Sequence, residues 1–221
     1  MKRGIKLFGE EGKKAILDEM RQIHELKTIE PIENPTTEDK CKALTYLMYL
    51  QRKRCGRVKG RGCADGRKQR STMTKEDTTS PTVSTESIML TSIIDAEENR
   101  DVAVTDIPGA YLHADMEGEV VVRFSGTMVD MLLNIDRDKY EPCIQNDRKG
   151  GRVIYARLKK ALYGCRNSGL LFFRNITAFL KRSGFTINPY DSCVANRMIN
   201  GHNCTIVWWV DDLKIRIRTL R

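Results

Sequence analysis

The stretch Thr205-Ile206-Val207-Trp208-Trp209-Val210-Asp211-Asp212-Leu213-Lys214-Ile215 sets two adjacent carboxylates between apolar, β-branched runs. Val, Ile and Trp crowd the run before them, and Leu213, Ile215 and Ile217 alternate in the run after. That pattern predicts a hairpin with the acidic pair at or near its tip. Neighbouring anions repel unless a cation or solvent sits beside them. Two readings fit: a solvated Asp-Asp turn, or half of a two-metal site for in-line phosphoryl displacement. The second requires a third carboxylate, a basic phosphate-binding region and a nucleotide pocket elsewhere in the chain.

Upstream, Asn200-Gly201 is a hairpin signal that leads into this strand from another near residues 193–197. Before it, Phe172, Phe173, Ile176, Phe179 and Leu180 form the apolar stripe of a helix over 168–183, with Gly184 where a C-cap belongs. The polar entry to this helix runs Leu158-Lys159-Lys160-Ala161-Leu162-Tyr163-Gly164-Cys165-Arg166-Asn167-Ser168 and offers a nucleotide a resting place. Glu119 to Phe124 reads as a strand, and 128–151 as a helix and loop ending at a Gly150-Gly151 turn. Further back, Asp101 to Asp106 alternates as a strand, and Pro108-Gly109 then forces a turn. Asp106 is a turn-former or the third carboxylate. Tyr111 follows closely enough for its ring to floor a pocket beside it. Ser84 is the expected N-cap of a helix ending near Asn99, with Met89, Leu90, Ile93 and Ile94 as its apolar face.

Residues 51–70 hold nine Lys or Arg against one acid, Asp65, with glycines at 56, 60, 62 and 66. Clustered cations attract phosphate and glycine lets a backbone approach it closely, although a solvated basic loop or a localisation signal has the same composition. Alternation places Lys59 and Arg61 on one face of a strand. A helix is expected over 10–29 from the spacing of Ile16, Met20 and Ile23, and Pro31 and Pro35 break the pattern after it.

The chain of 221 residues, 40% apolar, is long enough for a core without staples, and its formal charge of +9 suits a polyanionic partner. Its seven cysteines form no C-x-x-C pair and have no histidine at ligand spacing, which argues against zinc and for reduced thiols. No leader-like apolar segment follows Met1 and no apolar run reaches about 18 residues. The expectation is a soluble, intracellular protein, not secreted and without a membrane partner.

In this order, the motifs resemble the reverse transcriptase domain of copia-type long-terminal-repeat retrotransposons, over about residues 15–215. Asp106-Ile107-Pro108-Gly109-Ala110-Tyr111 resembles polymerase motif A, Leu158 to Gly164 motif B, and Trp209-Val210-Asp211-Asp212 motif C, where the family usually has Tyr in place of Trp209. Lys59-x-Arg61-x-x-x-x-Gly66 resembles the segment whose cations hold the triphosphate, and Ser80 to Ser84 the stretch before the helix leading to motif A. After Gly164 the family usually reads aliphatic-Lys-Gln-Ala-Pro-Arg, whereas this chain has Cys165-Arg166-Asn167-Ser168-Gly169-Leu170.

The resemblance implies an α+β fold of palm and fingers, with the antiparallel palm sheet backed by helices near 85–98 and 168–183. It implies an N-terminal helical extension over 1–40, fingers from 41–84 and 126–155, and palm from 85–125 and 156–221. It implies RNA-directed DNA polymerisation with two Mg²⁺ ions (Mn²⁺ able to substitute), dNTPs, and an RNA or DNA template with its primer. Asp106, Asp211 and Asp212 would be catalytic, with the Ile107 carbonyl joining them as metal ligands. Lys59, Arg61, Tyr111, Tyr163 and Gly164 would bind the nucleotide, Tyr111 as the gate against a 2′-hydroxyl. Arg166, Asn167 and Trp209 would touch template or primer. The chain ends nine residues past Asp212, in a basic, alternating tail. A missing thumb and RNase H domain, an exposed edge at the last strand, and a non-catalytic nucleic-acid-binding remnant as the alternative are the further expectations.

Overall fold

The computed structural model describes residues 2–217, with side chains from residue 5; Met1 and the end of the basic tail, 218–221, lie outside the described residues. In chain order the elements are α1 (Lys2–Glu25), β1 (Ile29–Pro31), α2 (Thr37–Lys42), β2 (Leu44–Arg52), β3 (Val58–Ala64), α3 (Thr85–Glu97), β4 (Asp101–Asp106), β5 (Val121–Ser125), α4 (Thr127–Ile135), α5 (Arg137–Tyr140), β6 (Ile144–Asn146), β7 (Arg152–Leu158), α6 (Ser168–Arg182), β8 (Thr186–Ile187), β9 (Val194–Ile199), β10 (His202–Trp209) and β11 (Asp212–Ile217). The α+β class expected from the sequence is the one found. The elements divide into two compact units, residues 2–74 with 111–168, and 75–110 with 169–217.

The first unit is built on a sheet ordered β1-β7-β5-β2-β3, with β6 also on β7. All pairings are antiparallel except the short parallel β2–β5 contact, Leu44 opposite Val122 and Thr45 opposite Arg123. Helix α1 covers this sheet because Ile16, Met20 and Ile23 recur at helical spacing and are fully buried against Leu44, Tyr46, Phe124 and Ile154. Its regular part begins after Gly9, whose φ of 53° breaks the helix, and it ends where Lys27 turns left-handed and the Thr28 N–H reaches the Ile23 carbonyl. The short α2 is started by a capping box in which Thr36 and Asp39 each accept from the other's backbone N–H. His24 accepts or donates at 3.0 Å with the Tyr140 hydroxyl and has a structural place between α1 and α5.

The second unit is a sheet ordered β4-β11-β10-β9-β8, antiparallel throughout. Asn200 and Gly201 both have positive φ, as a two-residue hairpin turn between β9 and β10 requires. Leu171, Phe172, Ile176 and Leu180 form the buried stripe of α6, which closes at Gly184 with the Phe185 N–H on the Leu180 carbonyl. Phe173 stacks on Trp208 of β10.

Three expectations are corrected here. Phe179 is exposed, although seven-residue spacing places it close to the buried Phe172 around the helix; the buried stripe runs through 172, 176 and 180, with 179 at its edge. The last strand is no edge: β11 is hydrogen-bonded on both sides, and β4 is the edge strand. Helix α3 exposes Met89, Leu90 and Ile93 and only half-buries Ile94; the residue it buries is Asp95. Among the described residues, no helix is long and apolar enough to cross a membrane.

Candidate functional site

In the second unit the three carboxylates meet at one end of the β4–β11 pair. Strand β4 ends on Asp106 and β11 begins on Asp212, and the two residues are directly opposed in register. Trp209 stands opposite Asp212 on the other side, so Val210 and Asp211 are the tip of the hairpin. Just past Asp106, the Ile107 N–H donates to the Asp211 carbonyl at 2.9 Å and ties the end of β4 to that tip. Val210 has φ +55°, a left-handed conformation that a β-branched side chain adopts at a cost of about 1–3 kcal/mol. Strain of this kind persists only where the surroundings impose it. Asp106 and Asp212 are exposed, as is half of Trp209, and Asp211 is partly covered.

The first unit holds the basic and aromatic residues. On β3, Lys59 and Arg61 project to the exposed face, as alternation predicts, while Val58, Gly60, Gly62 and Ala64 face inward. The glycines therefore answer to packing, a correction of their expected role in approaching phosphate. A Cβ on Gly60 would press on the Ala15 carbonyl of α1, and one on Gly62 would collide with the Tyr46 hydroxyl. Glu19 of α1 accepts the Gly62 N–H at 2.8 Å. Burial raises its carboxyl above the usual range, against the pull of that hydrogen bond and of Lys59 and Arg61.

The segment after β7 is fastened to β3. The Ala64 N–H donates to the Tyr163 carbonyl at 2.7 Å, and Gly164, at φ +89°, lies so close to the Ala64 carbonyl that no side chain fits. The Arg166 N–H donates to Gln69 at 3.0 Å. The Arg61 guanidinium lies 5.6 Å from the centre of the Tyr163 ring, and the Tyr111 ring lies 4.4 Å from that ring between centroids. Lys59, Arg61, Tyr111, Tyr163, Gly164 and Arg166 thus fall in one unit, with the Arg61 guanidinium over the Tyr163 ring and the Tyr111 ring tilted against it. Asn167, expected to touch template or primer, is buried, and its amide oxygen has no hydrogen-bond partner among the described residues. Burial pushes the neighbouring Cys165 thiol up to about 12, where it is no nucleophile.

A metal is tested by the donor set. Among the described residues no group of three or more His, Cys, Asp or Glu is arranged to hold an ion by itself. Mg²⁺ is held by one or two carboxylates together with substrate phosphates more often than by an all-protein cage. Two opposed, exposed carboxylates with a third at the adjoining tip fit an ion of that kind and do not fit a structural zinc. Sequence patterning missed Glu19 and the ion cluster of Asp95, Lys214 and Arg216 between α3 and β11, in which Asp95 and Arg216 are buried and Lys214 is partly exposed. Asp95 had one signal, a lone acid inside the apolar run Ile93-Ile94-Asp95-Ala96.

The family profile described as reverse transcriptase (RNA-dependent DNA polymerase) matches residues 27–220, and it is the copia-type family that the motifs resemble. No curated protein matches. Among solved structures, that of telomerase from Candida albicans in complex with the TWJ fragment of telomeric RNA is similar over 93% of this chain and 42% of its own, at 11% identity and a TM-score of 0.41. The present chain thus spans less than half the length of that one. The profile covers most of the sequence and includes all three carboxylates, so the chain belongs to the reverse transcriptase (RNA-dependent DNA polymerase) family.

Proposed function

We propose that this chain is the polymerase portion of a retrotransposon reverse transcriptase, adding deoxynucleotides to a primer 3′-hydroxyl along an RNA or DNA template. The observation that carries this is the register of Asp106 opposite Asp212, with Asp211 tied alongside by the Ile107 N–H. The reaction is attack of the primer 3′-oxygen on the α-phosphorus of a dNTP, with pyrophosphate leaving. Asp106 and Asp211 with the Ile107 carbonyl would hold the divalent ions, and Asp212 would support them as a weaker ligand or through its negative potential. When bound there, two Mg²⁺ ions, or Mn²⁺, would favour loss of the hydroxyl proton and steady the charge on the leaving pyrophosphate.

The other roles belong to this chain's own side chains. Lys59 and Arg61 neutralise the β- and γ-phosphates through charge-assisted hydrogen bonds. Tyr111 occupies the space of a 2′-hydroxyl, with Tyr163 and Gly164 completing the nucleotide contact. Arg166 and Trp209 lie against template or primer. On this assignment the second unit is the carboxylate-bearing part of the palm, and the first supplies the fingers. The site of action is inside the cell, in a particle or the nucleus.

Primer extension by the purified chain on an RNA template with a DNA primer tests this, in Mg²⁺ and then Mn²⁺, beside Asp211→Asn. Extension that disappears in the variant supports polymerase function. The formal charge of +9 and the exposed cations of β3 favour a second reading, nucleic-acid binding without catalysis. Salt-sensitive binding with no extension in either metal would select it.

A further inference from the structure

Helix α3 is seated in an unusual way. Its apolar side chains Met89, Leu90 and Ile93 face outward, and its one buried residue is the carboxylate of Asp95. A carboxylate goes into the interior only with compensating charge. Here the Lys214 Nζ lies 2.9 Å and the Arg216 Nε 3.4 Å from an Asp95 carboxylate oxygen, and Lys214 also donates to the Ser92 hydroxyl at 2.9 Å. Arg216 alone could neutralise Asp95. The engagement of Lys214 with both Asp95 and Ser92 is the feature that calls for a cause.

The cause lies along β11. Side chains two apart on a strand share a face, so Asp212, Lys214 and Arg216 point the same way, with Asp106 and Val104 opposite the first two on β4. Lys214 is therefore the cation nearest in the strand to the Asp106–Asp212 pair, and β4 contributes none. Its Cα lies roughly 6.5–7 Å from that of Asp212, a span its side chain can cross. A free ammonium there would pair with the carboxylates and compete for them with any divalent ion.

We propose that Asp95 is a positioning residue which, with Ser92, holds the Lys214 ammonium on α3 and so keeps the Asp106–Asp212 carboxylates open to a divalent cation. This rests on the polymerase assignment above. Binding of Mn²⁺ to the full chain, followed by loss of the free-ion electron paramagnetic resonance signal, tests it without any turnover. Asp95→Asn should raise the Mn²⁺ dissociation constant about three- to tenfold, the range expected when a partly exposed ion pair forms where none was. Adding Lys214→Gln to it should bring the constant back to within about twofold of the parent chain, because the competitor is gone. Lys214→Gln alone should also stay within about twofold of the parent.

A purely structural Asp95 would lose Mn²⁺ without recovery in the double variant, and that result, or parent-like binding by Asp95→Asn, overturns the proposal. If Asp95→Asn does not fold, Ser92→Ala removes only the second tether. It should weaken Mn²⁺ binding in the same sense, again reversed by Lys214→Gln; no change would count against the tether. Asp106→Asn separates the two levels. If Mn²⁺ binding is untouched by that change, the site assignment itself fails, whereas a failed Asp95–Lys214 cycle with Asp106-dependent binding overturns only the positioning role.

Discussion

Helix α1 of the first unit and helix α3 of the second are seated by opposite means. In the first, α1 lays Ile16, Met20 and Ile23 onto the sheet, and the seam is mainly apolar, with the single carboxylate of Glu19 on the Gly62 N–H. In the second, α3 turns Met89, Leu90 and Ile93 outward and meets β11 through Asp95, Lys214 and Arg216. Dispersion and apolar burial hold the first seam, and they are insensitive to charge. The second seam depends on charges whose desolvation cancels much of their attraction, so it is specific in register more than strong. The unit that holds the aromatic and basic residues is thus built for rigidity. The unit that holds the carboxylates ties its strand register to a charge pattern, two residues away from the acidic turn.

The largest effect that would sharpen this contrast is in the first unit. Met20→Ala removes a fully buried side chain and should lower unfolding free energy by about 2–5 kcal/mol in a denaturant titration. Asp95→Ala should be comparable, about 3–5 kcal/mol, because it strands the buried Arg216 guanidinium without its counter-charge. A replacement of Asp95 that cost nothing would break the contrast, since α3 would then be held by something else. Gly164→Ala should cost about 1–3 kcal/mol, from its left-handed φ and the Ala64 carbonyl in the way of a Cβ. Leu90→Ala, on the outward face of α3, should stay within about 0.5 kcal/mol, although Leu→Ala inside a core is severe.

The smallest effect is a pH dependence confined to the first unit. Burial raises the Glu19 carboxyl in the fold above its value in the unfolded chain. Between those two values the folded state binds more protons, so stability falls as pH rises through that window and the loss persists above it. Glu19→Gln keeps an acceptor for the Gly62 N–H and removes the charge. The difference in stability between parent and variant should grow in favour of the variant as pH rises past the ordinary glutamate value. A difference independent of pH would show that Glu19 is not held in that environment.

Much of the carboxylate-bearing unit was legible because its signals are local. Alternation delivered Asp106 to a strand end, and Asn200-Gly201 and Asp211-Asp212 marked the two hairpin turns from adjacent residues alone. What sequence patterning could not give is strand neighbourhood. That β4 pairs with β11, making β11 internal, depends on residues more than a hundred positions apart. The two-residue parallel contact of β2 with β5 leaves no periodic trace either. The α2 capping box escaped notice because Asp39 takes the place usually held by Glu or Gln. Gly60 and Gly62 were misread for a physical reason: glycine marks close approach, and the sequence does not say whether the approaching group is a phosphate or another part of the chain. Asp95 was passed over because an acid in an apolar helix reads as surface until its partners on β11 are seen.

The central claim is that Asp106 serves chemistry at the β4–β11 end and not folding. Single-nucleotide addition to a radiolabelled primer under single-turnover conditions, with the parent chain and Asp106→Asn at matched primer–template saturation, tests it most directly. The account predicts addition by the parent and a rate lowered at least about a thousandfold in the variant, the scale on which electrostatic stabilisation of phosphoryl transfer operates, with primer–template affinity unchanged. Equal rates in the two chains, or an affinity that falls in step with the rate, would contradict it.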